Sequence, residues 1–300
     1  MYTPAMISAL LAALLLAGPG FAQDARGKPG PLALTFKKSA DARVAQRGEA
    51  FSAVLLGVPY QEFPLGEGAD GVYDSDPLMR LDRADCVTFV EETLALARAG
   101  DEAGMRAELT KIRYRGGVVS YETRNHFTDA DWLPNNAAAG FIRDVTAEVA
   151  GADARTAAKT ISKKAWYAAK TDKDLKGPRV EALSPAQRRA LVDQWRALGA
   201  ALPDQPVSLP YLPISALARH AADIPSGTIV SLVRADAPDK PTLISHMGLI
   251  VRVGGALYFR HAAQGQRVLD VPLLEYFRKY DGASWPLLGL NLAAPLEPSR

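Results

Sequence analysis

The sequence predicts an α+β domain, with helices early and antiparallel strands late. Three observations carry that reading. Between residues 85 and 97, Val87, Val90, Leu94 and Ala97 recur at helical spacing. Residues 228–233, 249–253, 257–259 and 268–271 read as short strands. Gly254-Gly255, between two of them, is a two-residue hairpin signal. At 300 residues and 48% apolar composition, the chain can bury one large core or two small ones. The net charge of +2 carries no basic stripe of the kind a nucleic-acid binder shows.

Residues 5–17 form an apolar run in which only Ser8 is polar. It is too short to span a bilayer. Gly18-Pro19-Gly20 breaks it, and Gly20 and Ala22 are small residues at the two cleavage-recognition positions. Residues 1–22 therefore read as an export signal, leaving a mature chain of 23–300 that is periplasmic or secreted. The leader has no Lys or Arg, and no cysteine follows Ala22 to take a lipid anchor.

Residues 23–31 are polar and Gly/Pro-containing. A helix is predicted over 40–56, with Val44, Phe51 and Leu55 among its apolar positions, and Gly57 and Pro59 end it. A Gly/Asp-rich loop runs to residue 83. Asp85 opens the strong helix, and Gly100 stops it. Residues 103–112 read as a helix, 118–121 as a possible strand, 131–136 as a turn and 141–149 as a strand. Residues 150–180 show little pattern. They carry Lys159, Lys163, Lys164, Lys170, Lys173 and Lys176, which suit either a solvated face or contact with an anionic polymer. Residues 184–202 form a helix capped by Ser184, with Pro185 at its first position and Leu191, Val192, Trp195 and Leu198 along it. No internal repeat is present.

Cys86 is the only cysteine, so an internal disulfide is impossible. A leftover cysteine in an exported chain is a reactive thiol, an intermolecular pair or a small buried hydrophobe. Cys86 follows Asp85 at the start of the predicted helix. Unpaired N–H groups and the partial positive charge there favour a thiolate, and later an oxyanion. Asp85 reads equally as a plain N-cap. The base for a thiol would come from His126, His220, His246 or His261. If Gly254-Gly255 is the turn, Val253 faces Ala256, and counting outward sets Gly248 opposite His261. His246 then shares a face with His261, diagonal to it, at about 7–8 Å along the backbone. One imidazole can meet Cys86 while the other orients it. A thiolate beside an imidazolium would then persist below the free-cysteine range. A strand histidine with a satisfied hydrogen bond is the plainer alternative. No HExxH or CxxC pattern exists, so neither a metal nor a cofactor is expected.

Gly57-Val58-Pro59-Tyr60, Asp85-Cys86-Val87-Thr88-Phe89, Ser245-His246-Met247-Gly248-Leu249-Ile250-Val251 and Phe259-Arg260-His261-Ala262 together resemble the NlpC/p60 cysteine peptidases. The resemblance implies a papain-like fold, with Cys86 as nucleophile, His246 as base, His261 as orienting residue and Tyr60 beside the nucleophile. The usual D-C-S-G element departs here to Asp-Cys-Val-Thr. With Tyr121, Arg124, His126, Phe127, Asp131 and Trp132, that variant resembles a branch described as N-acetylmuramoyl-L-alanine amidase-like. The branch implies hydrolysis of the amide between MurNAc and L-Ala in peptidoglycan or muropeptides. It makes Tyr121, Arg124, His126 and Trp132 candidate substrate contacts, and residues 150–205 a family-specific insertion. The resemblance covers residues 44–280. Three other readings are an endopeptidase cutting between D-Glu and diaminopimelate, a non-catalytic wall-binding module, and a zinc amidase, which EDTA would inactivate. No nucleic-acid partner is implied, and no membrane once the leader is removed.

Overall fold

The computed structural model describes residues 30–298; the leader expected at 1–22 lies outside them. The first described element is α1 (Pro31–Lys38), just past the stretch expected to be a polar linker. Pro31 fits its first turn, and Leu32 and Phe36, one turn apart, are buried. α2 (Val44–Val54) falls inside the predicted helix and buries Val44 and Phe51. α3 (Cys86–Arg98) starts where Asp85 predicts. The Asp85 carboxylate accepts the Val87 and Thr88 N–H groups, and Thr88 Oγ1 accepts the Asp85 N–H in return. Residues 88–97 are buried on every side, so α3 is a central helix rather than an amphipathic surface one. α4 (Glu102–Arg113) follows, capped by Asp101.

The structure corrects three local readings. Residues 118–121 are not a strand: Gly116 and Gly117, at φ +67° and +70°, curl the chain after α4. The expected turn at 131–136 is helical. A π-helical turn at Thr128–Trp132 runs into α5 (Leu133–Ala138), with its proline in the first turn, where it costs nothing. The strand expected over 141–149 shortens to β1 (Ile142–Asp144), because Asp144 Oδ1 accepts the Thr146 N–H and starts α6 (Thr146–Ala150).

β2 (Arg155–Ile161), α7 (Lys163–Ala168) and α8 (Pro178–Glu181) resolve the segment with little pattern, and α9 (Pro185–Ala200) and β3 (Gln205–Pro213) follow it. β2 and β3 pair from Arg155↔Tyr211 to Ile161↔Gln205. Residues 162–204 are thus a helical excursion from one two-stranded ribbon. α9 has the predicted Ser184 cap, closed into a capping box by Gln187, and buries Val192 and Trp195.

The chain ends with α10 (Ile214–His220), β4 (Thr228–Arg234), β5 (Ile244–Val253), β6 (Ala256–Ala262), β7 (Val268–Pro272), α11 (Leu273–Arg278) and β8 (Leu287–Pro295). The sheet order is β2-β3-β8-β4-β5-β6-β7, with β1 also on β8, and every pairing is antiparallel. β4 is buried along its whole length, as its near-continuous apolar sequence requires. Helices cover both faces. Met247, Leu249 and Val251 of β5 join the core of α1–α4, whereas Ile250 joins the core of α10 and α11. The β5–β6 register is the one counted from the turn, running Val253↔Ala256 to Leu249↔Arg260. Gly254 and Gly255 have φ +56° and +86°, the left-handed pair a two-residue hairpin needs. Gly248 is required for a different reason: a Cβ there would stand 2.6 Å from the Arg260 carbonyl oxygen and from the Phe259 ring.

Candidate active site

Cys86 opens α3 and keeps part of its surface exposed. Of the first-turn N–H groups, those of Val87 and Thr88 are spent on the Asp85 carboxylate. The Cys86 N–H has no other group to serve among the described residues and faces its own sulfur. The Met247 N–H, from β5, faces the sulfur as well. Asp85 Oδ2 accepts the Phe63 N–H at 3.0 Å, which ties the preceding loop to the helix start. Tyr60 is held by a parallel bridge to Ala84 and by its N–H to the Gln266 carbonyl at 2.9 Å. Burial raises its phenol, and the neighbouring Cys86 and Asp85 charges raise it further.

His246 Nε2 lies 2.7 Å from His261 Nδ1, the rings nearly perpendicular at 85°. The pairing of faces counted from the hairpin therefore brings the two imidazoles together. His261 stacks on Phe259 at 4.8 Å and meets the Tyr276 edge at the same distance, and its Nε2 is buried without a hydrogen-bond partner. No hydrogen bond joins His246 to the thiol at rest among the described residues. His246 Nδ1 is the ring nitrogen that His261 leaves free.

The electrostatics reverse one expectation. Burial first, then the Asp85 charge, push the Cys86 thiol up to about 12, against the N–H groups of Met247, Cys86 and Val87. Burial, then the neighbouring His261 and the cations of Lys279 and Arg234, takes His246 down to about 3. Burial and Lys279 take His261 down to about 4. The site rests as a neutral thiol and two neutral imidazoles, not as the thiolate–imidazolium pair a bare helix start would favour. Burial of all three groups is the main physical reason, and the Asp85 charge beside the sulfur adds to it.

A cleft of about 340 Å³ runs from Asp85, Val87 and Thr88 past Tyr121, Arg124 and His126 to Trp166, Lys170 and Lys176. Three of the four expected substrate contacts line it, but none is free as a sequence reading supposes. Tyr121 is buried in a cluster with Tyr73, Tyr167 and Trp195. Arg124 is already spent: its Nε donates to Glu67 Oε1 at 2.6 Å and its Nη2 to Asp74 Oδ2 at 2.9 Å. His126 holds the Tyr121 carbonyl at 2.8 Å, and burial drives its pKa well down. Trp132 does not reach the cleft. It is fully buried, and its Nε1 donates to Glu91 Oε1 at 3.1 Å, beside the buried Glu91–Arg113 pair. The tryptophan that does line the cleft is Trp166. It sits in the stretch whose sequence shows no usable period, and only its neighbouring lysines hint at a ligand. The fourth histidine, His220, bonds Asp153 at 2.8 Å and takes no part in the cleft. Among the described residues no group of three His, Cys, Asp or Glu side chains could hold a metal ion.

A buried helix thus starts on a cysteine and packs on an antiparallel sheet that carries a histidine pair, with a cleft beginning at the residues that flank the cysteine. The family described as N-acetylmuramoyl-L-alanine amidase-like (AmiA-like) matches residues 50–283, and this chain belongs to it. Among solved structures, a Legionella pneumophila protein is similar over 89% of this chain and 94% of its own, at 28% identity and a TM-score of 0.82. A Bacteroides uniformis protein named as an N-acetylmuramoyl-L-alanine amidase is similar over 85% of this chain and 99% of its own, at 25% identity and a TM-score of 0.62. No curated protein matches the chain.

Proposed function

We propose that this protein is an exported cysteine amidase of the NlpC/p60 type, with a papain-like catalytic domain, that hydrolyses the amide between MurNAc and L-Ala of peptidoglycan or muropeptides. The observation that carries the reading is Cys86 at the start of buried α3, with the 2.7 Å His246–His261 pair two strands of one hairpin away, in a chain of the amidase-like family. The segment 162–204 is then an insertion into the catalytic domain.

Cys86 acts as the nucleophile. His246 Nδ1 takes the thiol proton as sulfur attacks the carbonyl carbon, so the reactive thiolate forms only in that step. This needs the hydrogen of His246 on Nε2, and His261 Nδ1 accepts it there. His261 orients the base in this way. The oxyanion falls to the Cys86 N–H and the Tyr60 hydroxyl, because the next two N–H groups already serve Asp85. As the C–N bond breaks, His246 returns the proton to the departing amine. It then takes a proton from water, which adds to the thioester carbon and frees the lactyl carboxylate and the Cys86 thiol.

The test is purified protein with defined MurNAc-peptides, the products read by mass spectrometry. The expected products are a MurNAc sugar and an intact peptide beginning with L-Ala, with no product from Cys86→Ala and no effect of EDTA. A peptide cut after D-Glu with the sugar still attached would make the protein an endopeptidase. Binding to walls without any product would make it a wall-binding module. For export, the mature chain recovered from the periplasm is expected to begin at Gln23 or within a few residues of it; recovery of intact Met1 would refute the leader.

A further inference from the structure

We propose that Lys170 and Lys176, carried into the cleft by the excursion between β2 and β3, form a carboxylate site for the acidic peptide on the leaving side of the scissile amide. The proposal rests on the amidase reading, which supplies that peptide, and it deepens that reading by naming what selects it.

Four cations line the cleft: Arg113, Arg124, Lys170 and Lys176. Two of them are already neutralised. Arg113 donates to Glu91 Oε2 at 2.7 Å and to the Leu65 carbonyl at 2.7 Å, and Arg124 is held between Glu67 and Asp74. The two lysines are less so, and share Asp174, which lines the same cleft. Lys176 forms no ion pair among the described residues, and its Nζ lies 4.7 Å from the centre of the Phe63 ring. Lys170 has one carboxylate in reach, Asp174, at a long 3.8 Å.

Lys170 is also held in place. Its side chain is only 11% exposed, and its Nζ stands 3.5 Å over the Trp166 ring and 5.1 Å from that of Trp195. Two indoles fix the stem and leave the ammonium at the cleft wall. Burial, with the charges of Arg124 and Lys176 against that of Asp174, takes its pKa down to about 8. A half-buried cation short of a counter-charge gains when an anion arrives.

Position connects this pair to the chemistry. Phe63, which carries Lys176 over its ring, donates its N–H to Asp85, the residue that caps the nucleophile's helix. Phe63 is the one non-glycine residue with positive φ among the described residues, at +49°. That backbone is costly for a bulky side chain and persists because the Asp85 bond over-determines it. The lysine pair therefore stands along the cleft whose other end is formed by Asp85, Val87 and Thr88, the residues flanking Cys86, on the wall that the excursion adds. A neutral sugar gains little from two ammonium groups, whereas a peptide carboxylate gains charge-assisted hydrogen bonds.

Calorimetry with the folded Cys86→Ala protein tests this. The probes are the dipeptide L-Ala–D-Glu joined through the γ-carboxyl, and the same dipeptide with its free α-carboxylate converted to an amide. The acid is expected to bind about tenfold or more tightly than the amide. Lys170→Gln and Lys176→Gln are each expected to reduce that preference severalfold, while Lys170→Arg restores part of it. If Lys170→Gln does not fold, Lys176→Gln decides alone, since its ammonium lies on an exposed ring. Equal binding of the two dipeptides, no binding of either, or a preference unchanged by the glutamine variants would overturn the proposal. The binding readout does not depend on turnover. A protein that prefers the acid yet cuts no MurNAc–L-Ala bond would keep the carboxylate site and sink the amidase reading.

Discussion

Cys86, His246 and His261 form a constellation whose parts are visible in the sequence and whose charge state is not. The two histidines share a face because a two-residue turn sets the register of β5 on β6, and they meet at 2.7 Å. Their protonation follows from burial, which depresses both imidazoles and raises the thiol. The sign of the consequence is definite. A base whose pKa lies near 3 stays competent through mild acid, so kcat/KM is expected to hold flat from pH 7 to below pH 6 instead of falling through the ordinary histidine range. A thiol pushed up to about 12 is protonated over that same range, so iodoacetamide should modify Cys86 slowly in mildly acidic buffer and faster as the pH rises. Alkylation rates and activity measured across pH check both, and a plateau of rapid alkylation in acid would show an ion pair instead. His246→Ala is expected to cut kcat by roughly 10³-fold or more, with His261→Ala less severe because it acts through His246.

The decisive element is α3. Its first turn does two jobs that compete. The Asp85 carboxylate closes the helix start through Val87 and Thr88, and it also sits beside the sulfur, where its charge opposes a thiolate. Asp85→Asn separates the two: its amide oxygen keeps the cap on Val87 and Thr88, its charge is gone, and the Phe63 N–H loses its acceptor. The variant is expected to melt within a few degrees of the parent and to react faster with iodoacetamide at neutral pH. Thermal melts and alkylation rates measure the two effects independently; an unchanged rate would show that the charge is not felt at the sulfur. The cap of α3, the Ser184–Pro185 start of α9 and the Gly254-Gly255 turn were all readable, because each is a rule about neighbours in the chain. The π-turn at Thr128–Trp132 was not. Asp131, Pro134, Asn135 and Asn136 are turn residues by local preference, yet here Asp131 Oδ2 accepts the Phe127 N–H and buried Asn136 donates to the Ile112 and Trp132 carbonyls. Tertiary partners for those side chains override the propensity.

At the scale of the whole molecule, buried ion pairs fasten the layers together. Arg113 joins α4 to Glu91 of α3, Arg260 joins β6 to Asp270 of β7 and to Ser52 of α2, and Arg124 clamps the loop residues Glu67 and Asp74. Arg124→Met leaves both carboxylates buried without their cation, and it is expected to cost about 3–5 kcal/mol of stability. Denaturant melts read that loss directly. A loss under about 1 kcal/mol would mean that Arg124 is free enough to serve a ligand instead.

What the sequence determined by itself was whatever follows from short-range rules: the α+β order, the start of α3 on Cys86, the hairpin register and the shared face of His246 and His261. What only the tertiary structure decided depends on which distant groups become neighbours. Trp132, expected at the substrate, is in the core because Glu91 on α3 takes its indole N–H, and Trp166 lines the cleft in its place. Arg124 lost its expected role to two carboxylates from a loop some fifty residues earlier. Residues 162–204 could not be placed until β2 and β3 were seen to pair across them. Helical and strand periods are local properties of a chain, but burial, ion pairing and the charge state of a thiol are set by the sum of everything packed around it.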